Sequence, residues 1–222
     1  MLSNTHYTVS VDLLQEAISQ LPIFDQRFDL TVSTGDFFYD EWSISDTFKN
    51  TVWEELLSTL PTNFGQARLM RLKPGEAYYS HADMDDRYHL NLIGEKSFLV
   101  NLDDRSMFST VPDRKWYLMD AGFRHSAVNF SNTDRVQLVV RKLLTHGMIK
   151  NPIEVNISCD SKSHDFRYLF DDIFSPWLNR KNKLGAIDYF KLVHEHQVSF
   201  ITEQSLVPEL QEMCPEKFEI KL

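Results

Sequence analysis

Seven short strand-like segments follow one another between residues 67 and 142, and this run constrains the fold more than any other feature of the chain. They lie at 67–73, 77–83, 87–93, 96–102, 115–120, 124–130 and 135–142. Turn-forming residues such as Pro74-Gly75 separate them. Closely spaced short strands of this kind are typical of a barrel or sandwich. The run predicts a double-stranded β-helix, a cupin-like jelly roll, and the polar segment 103–114 predicts a mobile loop near its mouth.

Helical patterns flank this run on both sides. Residues 11–21 and 46–60 carry apolar residues at helical spacing, with Asp46 as the expected N-cap of the second helix. Segments 164–174, 184–204 and 206–213 predict helices, and 153–158 predicts a short strand. We therefore expect a mainly β protein with flanking helices. Its barrel domain would occupy residues 1–150 and a C-terminal helical region residues 151–222.

The composition excludes several classes of protein. The 222-residue chain has 23 basic and 32 acidic residues and a net charge of −9, which disfavours nucleic acid and anionic membranes as partners. The sequence has no apolar run of about 18 residues and no secretory signal pattern. Cys159 and Cys214 lack zinc-site spacing and predict free thiols. These features favour a cytoplasmic protein, and they leave its oligomeric state open.

Two histidines and one carboxylate form a candidate metal site. His81 and Asp83 lie two residues apart at the end of a predicted strand, so their side chains point to the same face. His125 occupies a later strand and supplies a third candidate ligand. Two imidazoles and a carboxylate that leave open positions are the ligand set of non-haem iron(II) oxygenases.

Arg135 is the candidate for anion binding. It lies in an otherwise apolar strand, ten residues after His125. A buried cation needs an anionic partner, because an unpaired buried charge is costly. Arginine binds carboxylates through two parallel hydrogen bonds, so a dicarboxylic co-substrate would suit this position.

These segments together resemble the aspartyl/asparaginyl β-hydroxylase family of iron(II)- and 2-oxoglutarate-dependent dioxygenases, which includes enzymes that hydroxylate free proline. The similarity covers roughly residues 66–143. The matching motifs are Leu72-Lys73-Pro74-Gly75, His81, Arg87-x-His89-Leu90, Asp120-x4-His125, Asn129-x-Ser131 and Arg135. The type enzyme has Gly two residues after its first histidine, where this chain has Asp83. This chain therefore resembles the family members that have a complete triad.

The resemblance implies a function and assigns roles to residues. His81, Asp83 and His125 would bind iron(II), and Arg135, Arg87 and His89 would hold 2-oxoglutarate. The implied activity is hydroxylation of an unactivated C–H bond of an amino acid, free or in a peptide, with O2 consumed and succinate and CO2 released. Two alternatives stay open: a non-catalytic cupin-like module that binds a ligand, and a metal-dependent cupin enzyme that does not use 2-oxoglutarate.

Two further features bear on ligand binding. Arg141 shares the strand and the parity of Arg135 and could compete with it as the 2-oxoglutarate anchor, although a charge at the end of a strand is more often on the surface. Asp85 and Asp86 lie near the expected mouth, where they could attract a cationic substrate, although loop acids are more often simply solvated.

Overall fold

The N-terminal region contributes two helices and four strands. The computed structural model describes residues 2–61, 64–159, 165–194 and 196–222. In chain order, the first elements are β1 (Leu2–Thr8), α1 (Val11–Ser19), β2 (Arg27–Asp29), β3 (Thr31–Ser33), β4 (Trp42–Ile44), a 3-10 turn (Asp46–Phe48) and α2 (Val52–Ser58).

Both predicted N-terminal helices are present, but the second is shorter than expected. The Ser10 side chain caps α1 by accepting a hydrogen bond from the Leu13 amide at 3.1 Å. The expectation that Asp46 caps the second helix is wrong, because α2 begins at Val52 after Thr51. Asn50 has a positive φ of 57°, which interrupts the helix between the 3-10 turn and α2.

The middle of the chain forms the predicted series of strands. These are β5 (Phe64–Leu72), β6 (Arg87–Ile93), β7 (Ser97–Asn101), β8 (Met107–Ser109), β9 (Lys115–Met119), β10 (His125–Asn129) and β11 (Arg135–Lys142). The strand expected at 77–83 is reduced to two isolated bridges, which join Ala77 to Val128 and His81 to His125. The segment 103–114, expected to be a mobile loop, contains the three-residue strand β8, which pairs with β7.

The strands pair in the order that defines a double-stranded β-helix. One sheet has the order β1-β9-β6-β11-β5-β2, and a second has the order β10-β7-β8. The bridges of Ala77 and His81 add the 77–81 segment to the free side of β10. The chain crosses repeatedly between the two sheets, so that β5, β6, β9 and β11 face 77–81, β7, β8 and β10. The predicted mainly β, jelly-roll fold class is confirmed.

The central strands of the larger sheet, β5, β6 and β11, are buried on both faces. The sheet's outer face packs against α1 and α2, and the shared core includes Leu69 of β5, Leu90 of β6 and Leu138 of β11. Its inner face is turned toward the smaller sheet and carries many polar side chains. Because side chains alternate across a strand, polar residues between these leucines face the interior of the barrel.

The C-terminal region forms an α+β layer. Its elements are β12 (Pro152–Cys159), α3 (Asp165–Lys183), β13 (Ile187–His194), β14 (Gln197–Glu203), a 3-10 turn (Gln204–Leu206), α4 (Val207–Met213) and β15 (Phe218–Lys221). Four of them form an antiparallel sheet in the order β13-β14-β12-β15. α3 packs on this sheet through a core that includes Phe174, Trp177 and Phe200.

The expected C-terminal helices are present in part. The strand predicted at 153–158 and the helices predicted at 164–174 and 206–213 correspond to β12, α3 and α4, although residues 160–164 lie outside the described part of the chain. The helix predicted at 184–204 is wrong, because that segment forms β13 and β14. The register of their pairing shifts between Asp188 and Lys191, which breaks the alternation expected of a strand. The division of the chain at residue 150 into two domains stays a prediction.

Two further expectations concern the described residues as a whole. Among them, no helix is both long and apolar enough to cross a membrane. Cys159 and Cys214 form no disulfide.

Candidate active site

A cavity of ≈ 600 Å³ lies between the two sheets of the barrel and is bordered by the C-terminal region. All of the site residues expected from the sequence line it, namely His81, Asp83, Arg87, His89, His125 and Arg135. They come from β6, β10, β11 and the segment before β6, so folding brings together positions that are up to 54 residues apart.

The backbone holds the two candidate histidine ligands side by side. His81 and His125 are paired residues of antiparallel segments, and their amides and carbonyls exchange hydrogen bonds of 3.0 and 2.8 Å. Their ring centroids are 4.5 Å apart. The Asp83 amide donates to the Ala121 carbonyl at 2.8 Å, which fixes the chain two residues beyond His81. Three backbone segments therefore position the cluster before any ligand binds.

Hydrogen bonds orient both imidazoles toward Asp83. The Nδ1 atom of His81 lies 2.9 Å from the Tyr79 carbonyl oxygen, and that of His125 lies 2.8 Å from the Phe123 carbonyl oxygen. A carbonyl oxygen only accepts, so each Nδ1 carries the proton and each Nε2 has a free lone pair. Both Nε2 atoms lie 3.6 Å from Asp83 Oδ2.

The electrostatics of the cluster keep the donor atoms of Asp83 and His125 unprotonated. Burial raises the pKa of the Asp83 carboxyl, but Arg87 and the two histidines outweigh this effect and hold that pKa below its usual range. Burial also lowers the pKa of His125 to about 4, although Asp83 opposes the shift. Both groups are thus in their metal-binding form at neutral pH.

The donor set fits a divalent transition metal. His81, Asp83 and His125 are a group whose donor atoms can converge on one ion. Asp83 Oδ2 is buried and has no hydrogen-bond partner, so the carboxylate has an oxygen available for a ligand. Atoms bound to one ion at about 2.0–2.2 Å lie at most ~4.4 Å apart, and the 3.6 Å separations satisfy that limit. Two imidazoles and one carboxylate match iron(II) with open coordination positions.

Arg135 lies deep in the cavity and has no acidic partner among the described residues. It is 1% exposed. Its Nε donates to Thr110 Oγ1 at 3.2 Å and its Nη2 donates to Gln137 Oε1, whereas Nη1 is buried and has no partner. Burial lowers the pKa of its guanidinium to about 10, so the group is charged at neutral pH. A buried, charged and incompletely bonded arginine is suited to an anionic ligand.

His89 lies between the two parts of the site. Its Nδ1 is 3.3 Å from Gln137 Oε1, and its Nε2 is buried and has no partner. Burial first and Arg135 second lower the pKa of His89 to about 3, with a smaller contribution from His125. His89 is therefore neutral at neutral pH, with one ring nitrogen directed to a ligand or to a water molecule.

The structure places Arg87 and Arg141 with carboxylates of the same region. Arg87 Nη2 donates to Asp83 Oδ1 and lies 3.7 Å from Asp85 Oδ1. Arg141 Nη1 donates to Asp85 Oδ1 at 2.6 Å, and its guanidinium lies 5.0 Å from the centre of the Phe37 ring. The expectation that Arg141 is a surface charge is wrong, since its side chain is 15% exposed and lines the cavity.

The C-terminal region supports the metal cluster from behind. Asn179 of α3 is 2% exposed, and its Nδ2 lies 3.4 Å from the Asp83 carbonyl, 3.2 Å from the Met84 carbonyl and 3.2 Å from Asp86 Oδ1. Lys183 of the same helix lies 3.0 Å from Asp86 Oδ1. The segment that carries Asp83 is thus held by a helix that lies about 95 residues later in the chain.

Several residues of the site were not found from the sequence. They are Arg68, Gln137, Asn91, Thr110, Asn179 and the aromatic residues Phe37, Phe38, Phe170 and Phe190. Parity offered a signal for Gln137, which lies two residues from Arg135 on the same face of β11. No local signal marks Asn179 or the aromatic residues, because their positions depend on how the C-terminal layer and the β3–β4 hairpin pack against the barrel.

Solved structures resemble this chain at low sequence identity. A protein of the 2OG-Fe(II) oxygenase family from Burkholderia pseudomallei is 12% identical, with 59% of this chain and 74% of that chain covered and a TM-score of 0.38. A cupin superfamily protein from Desulfitobacterium hafniense is 14% identical, with coverages of 58% and 88% and a TM-score of 0.35. A predicted oxalate decarboxylase from Thermotoga maritima is 24% identical, with coverages of 41% and 74% and a TM-score of 0.31. No curated protein matches the chain.

A family model matches the barrel part of the chain. The model described as aspartyl/asparaginyl beta-hydroxylase matches residues 46–143. This range begins at the 3-10 turn before α2 and ends just after β11, so it contains the whole double-stranded β-helix and both candidate histidine ligands. The resemblance noted from the sequence motifs is thereby confirmed: residues 46–143 of this chain are similar to the aspartyl/asparaginyl β-hydroxylase family.

Proposed function

We propose that the protein is an iron(II)- and 2-oxoglutarate-dependent dioxygenase that hydroxylates an unactivated C–H bond of an amino acid, free or in a peptide. The observation that carries this proposal is the meeting of two features in one cavity. One is the His81–Asp83–His125 cluster, and the other is the buried Arg135, which no described carboxylate neutralises. The family match to residues 46–143 supports the same reaction class.

In this proposal the ligands of the metal are prepared in advance. The Tyr79 and Phe123 carbonyls keep the protons of His81 and His125 on Nδ1, so both Nε2 lone pairs face the ion. Arg87 holds Asp83 Oδ1 and leaves Oδ2 for the metal. When bound, iron(II) and 2-oxoglutarate supply the oxidation of the C–H bond, with O2 consumed and succinate and CO2 released.

The deep end of the cavity would bind the distal carboxylate of 2-oxoglutarate. Arg135 Nη1 has no protein partner and can donate to that carboxylate, and Thr110 and Gln137 fix the plane of the guanidinium. Gln137 in turn donates to Asn91 Oδ1, so the anchor belongs to a continuous polar network. The aromatic residues at the mouth would limit the access of water to the metal.

Neither of the two alternatives accounts for this arrangement as well as a 2-oxoglutarate-dependent dioxygenase does. A ligand-binding module has no need of three converging metal donors. A cupin enzyme that does not use 2-oxoglutarate has no evident use for a buried, unneutralised Arg135 beside those donors. A dioxygenase needs both features, and it needs them in one cavity.

The decisive experiment is anaerobic addition of iron(II) and 2-oxoglutarate to the purified protein. The proposal predicts the weak visible charge-transfer band of the metal-bound 2-oxoglutarate chelate, and its loss in His125→Ala. A module without metal would give no iron(II) binding in the wild type. A cupin enzyme of the second kind would bind iron(II) but give no band on addition of 2-oxoglutarate.

A positive band would identify the co-substrate but not the substrate. Screening free amino acids and short peptides for stimulated succinate release would then address the substrate. Consumption of 2-oxoglutarate without any stimulation by members of that panel would contradict the amino-acid part of the proposal.

A further inference from the structure

Arg68 is, after Arg135, a second buried arginine of the cavity without an acidic partner among the described residues, and the roles described above do not use it. It lies on β5, opposite Val139 of β11, and is 8% exposed. Its Nη1 donates to the Gln66 side chain at 3.2 Å, and its Nε is buried without a partner. Among the described residues, no carboxylate forms an ion pair with it. Its side chain lines the same cavity as the metal cluster.

The neighbouring arginines do not share this property. Arg87 is paired with Asp83, and Arg141 is paired with Asp85. Burial first, and then the charges of Arg87 and Arg141, lower the pKa of Arg68 to about 9, which leaves it charged at neutral pH. A buried charge without an opposite charge is costly to the folded protein, and a bound anion would remove that cost.

Arg68 and Arg135 lie in different parts of the cavity. In the register of β5 and β11, Arg135 pairs with Leu72, and Arg68 pairs with Val139. The two positions are four residues apart along the sheet, which corresponds to about 13 Å between their backbones. Arg135 belongs to the deep end with Thr110, whereas Arg68 belongs to the row nearer Arg87 and Arg141. The two arginines without acidic partners are therefore at separate positions in the cavity.

Aromatic side chains line the same cavity, and the ring centre of one of them, Phe38, lies 5.7 Å from the guanidinium of Arg141. Phe38 and Phe190 have ring centroids 5.0 Å apart, and Phe170 lies 6.4 Å from Phe190. They come from the region between β3 and β4, from β13 and from α3, and all three line the cavity. Such a wall can bury a hydrocarbon group but offers it no hydrogen bonds.

A cationic substrate fits the same region less well. Asp85 is held by Arg141, and Asp86 by Lys183. These two acidic residues, which could have attracted a positive group, are already neutralised by side chains of the protein. Asp171 of α3 also lines the cavity, and its charge acts on Arg87. With these acidic residues engaged by cations of the protein, the cavity favours a negative group at Arg68.

We propose that Arg68 binds a carboxylate of the substrate, and that the substrate is a small acid whose apolar part packs against Phe38, Phe170 and Phe190. This inference rests on the proposed function and specifies its substrate class. A cavity of ≈ 600 Å³ that must also hold the co-substrate has room for a free amino acid or a comparable acid. Arg68 would recognise the carboxylate of such an acid, and the aromatic residues would recognise its apolar part.

The test compares acids with their own amides. The probes are L-leucine and L-leucinamide, L-phenylalanine and L-phenylalaninamide, and 4-phenylbutyrate and 4-phenylbutyramide. Thermal unfolding is followed for the apo protein and for the protein loaded anaerobically with iron(II) and 2-oxoglutarate. We expect at least one acid to raise the melting temperature of the wild type more than its amide does, because only the acid supplies the missing negative charge.

Three variants assign the effect to Arg68. Arg68→Met should weaken binding of the acid by about 30-fold or more and abolish the preference for acid over amide, with 2-oxoglutarate affinity unchanged. Without probe it should melt no lower than the wild type, because it removes an unpaired buried charge. Arg68→Lys should retain a weaker preference for the acid, because it keeps the charge but loses the two-pronged geometry. Arg27→Met is the matched control, since Arg27 also lines the cavity but is half-exposed and paired with Asp29.

Several results would overturn the assignment. They are the absence of any preference for acid over amide in the wild type, a preference that persists in Arg68→Met, and a loss of 2-oxoglutarate affinity in that variant. An Arg68→Met protein that melts far below the wild type without probe would make Arg68 a structural residue. If the wild type lacks the 2-oxoglutarate chelate band, the proposed reaction fails, and the acid–amide comparison on the apo protein still decides the role of Arg68.

Discussion

Replacing Asn179 tests whether the C-terminal region is part of the active site. Its Nδ2 group has two hydrogens and lies within 3.4 Å of three acceptors on the 83–86 segment. One bond to a carbonyl contributes about 0.5–1.5 kcal/mol, and one to a carboxylate about 1.5–3 kcal/mol. Asn179→Ala should therefore lower the free energy of unfolding by roughly 2–4 kcal/mol.

The effect of the Asn179 variants on metal binding shows whether Asn179 supports the metal site or only packs α3 against the barrel. Loss of these bonds loosens the segment that presents Asp83 to the ion, and removal of a group that orients a metal ligand typically weakens metal binding 10- to 100-fold. We expect iron(II) affinity to fall about 10-fold, which equals about 1.4 kcal/mol. Asn179→Asp should be at least as damaging, because it replaces the donor with a carboxylate beside Asp86.

Two measurements are needed on each variant. Urea unfolding gives the stability, and anaerobic iron(II) titration gives the metal affinity. Asn182→Ala is the matched control, because Asn182 is a buried asparagine on the same helix whose Nδ2 has no hydrogen-bond partner in the structure. If Asn179→Ala loses stability but binds iron(II) as tightly as the wild type does, the helix only packs against the barrel and has no role at the site.

Three further predictions concern the barrel itself. Arg135→Met should weaken 2-oxoglutarate binding by about 30-fold or more, as measured by titration of the chelate band, and should leave iron(II) affinity nearly unchanged. A larger effect of Arg141→Met would identify Arg141 as the anchor instead. Asp83→Ala should weaken iron(II) binding and remove most succinate release, and His125→Ala should reduce both further. Wild-type turnover in Asp83→Ala would exclude Asp83 as a metal ligand. His89 has a folded-state pKa of about 3 against a usual value near 6.5, so the wild type should lose stability as pH falls through that window by up to about 1.4 kcal/mol per unit. Urea titrations of His89→Gln should show a shallower loss between pH 6.5 and 4.5, and parallel curves would contradict the shift.

The barrel was predictable from the sequence because its pattern is local. Alternation along β5, β6 and β11 reflects two buried faces, and parity holds over most of each strand, although the pairing of β11 shifts register once against β5 and once against β6. The same parity placed His81 with Asp83, and the spacing of the motifs placed His125 and Arg135. Side-chain direction in a regular strand follows from counting residues, which suffices for His125 and Arg135. His81 and Asp83 follow the same parity although 77–83 is held only by isolated bridges.

The error at 184–204 has a specific physical cause. Ile187 and Phe190 are both buried although they are three residues apart, which is a helical spacing. They face the same core because the pairing of β13 with β14 shifts register between Asp188 and Lys191, and Tyr189 between them has a positive φ of 49°. A bulge of this kind depends on the neighbouring strand, and the segment itself contains no glycine at that point to signal it.

Arg68 escaped detection for a different reason. In an alternating strand, a charged residue between apolar ones usually marks the face exposed to solvent. Here β5 is covered on both sides, by the N-terminal helices on one face and by the cavity on the other. Only the tertiary structure shows that Arg68 lines the cavity. It also shows that the carboxylates of Asp83 and Asp85 are paired with Arg87 and Arg141.

The charges of the cavity also couple its ligands to one another. In the free protein Asp83 is shared between the metal position and Arg87, because its two oxygens face in different directions. A bound divalent ion draws on the same carboxylate and adds positive charge to a cavity in which Arg68 and Arg135 are already without acidic partners among the described residues. Each anion that enters then lowers the electrostatic cost of the metal, and the metal lowers the cost of each anion. Iron(II) should therefore bind more tightly in the presence of 2-oxoglutarate, and by the same factor 2-oxoglutarate should bind more tightly in the presence of iron(II).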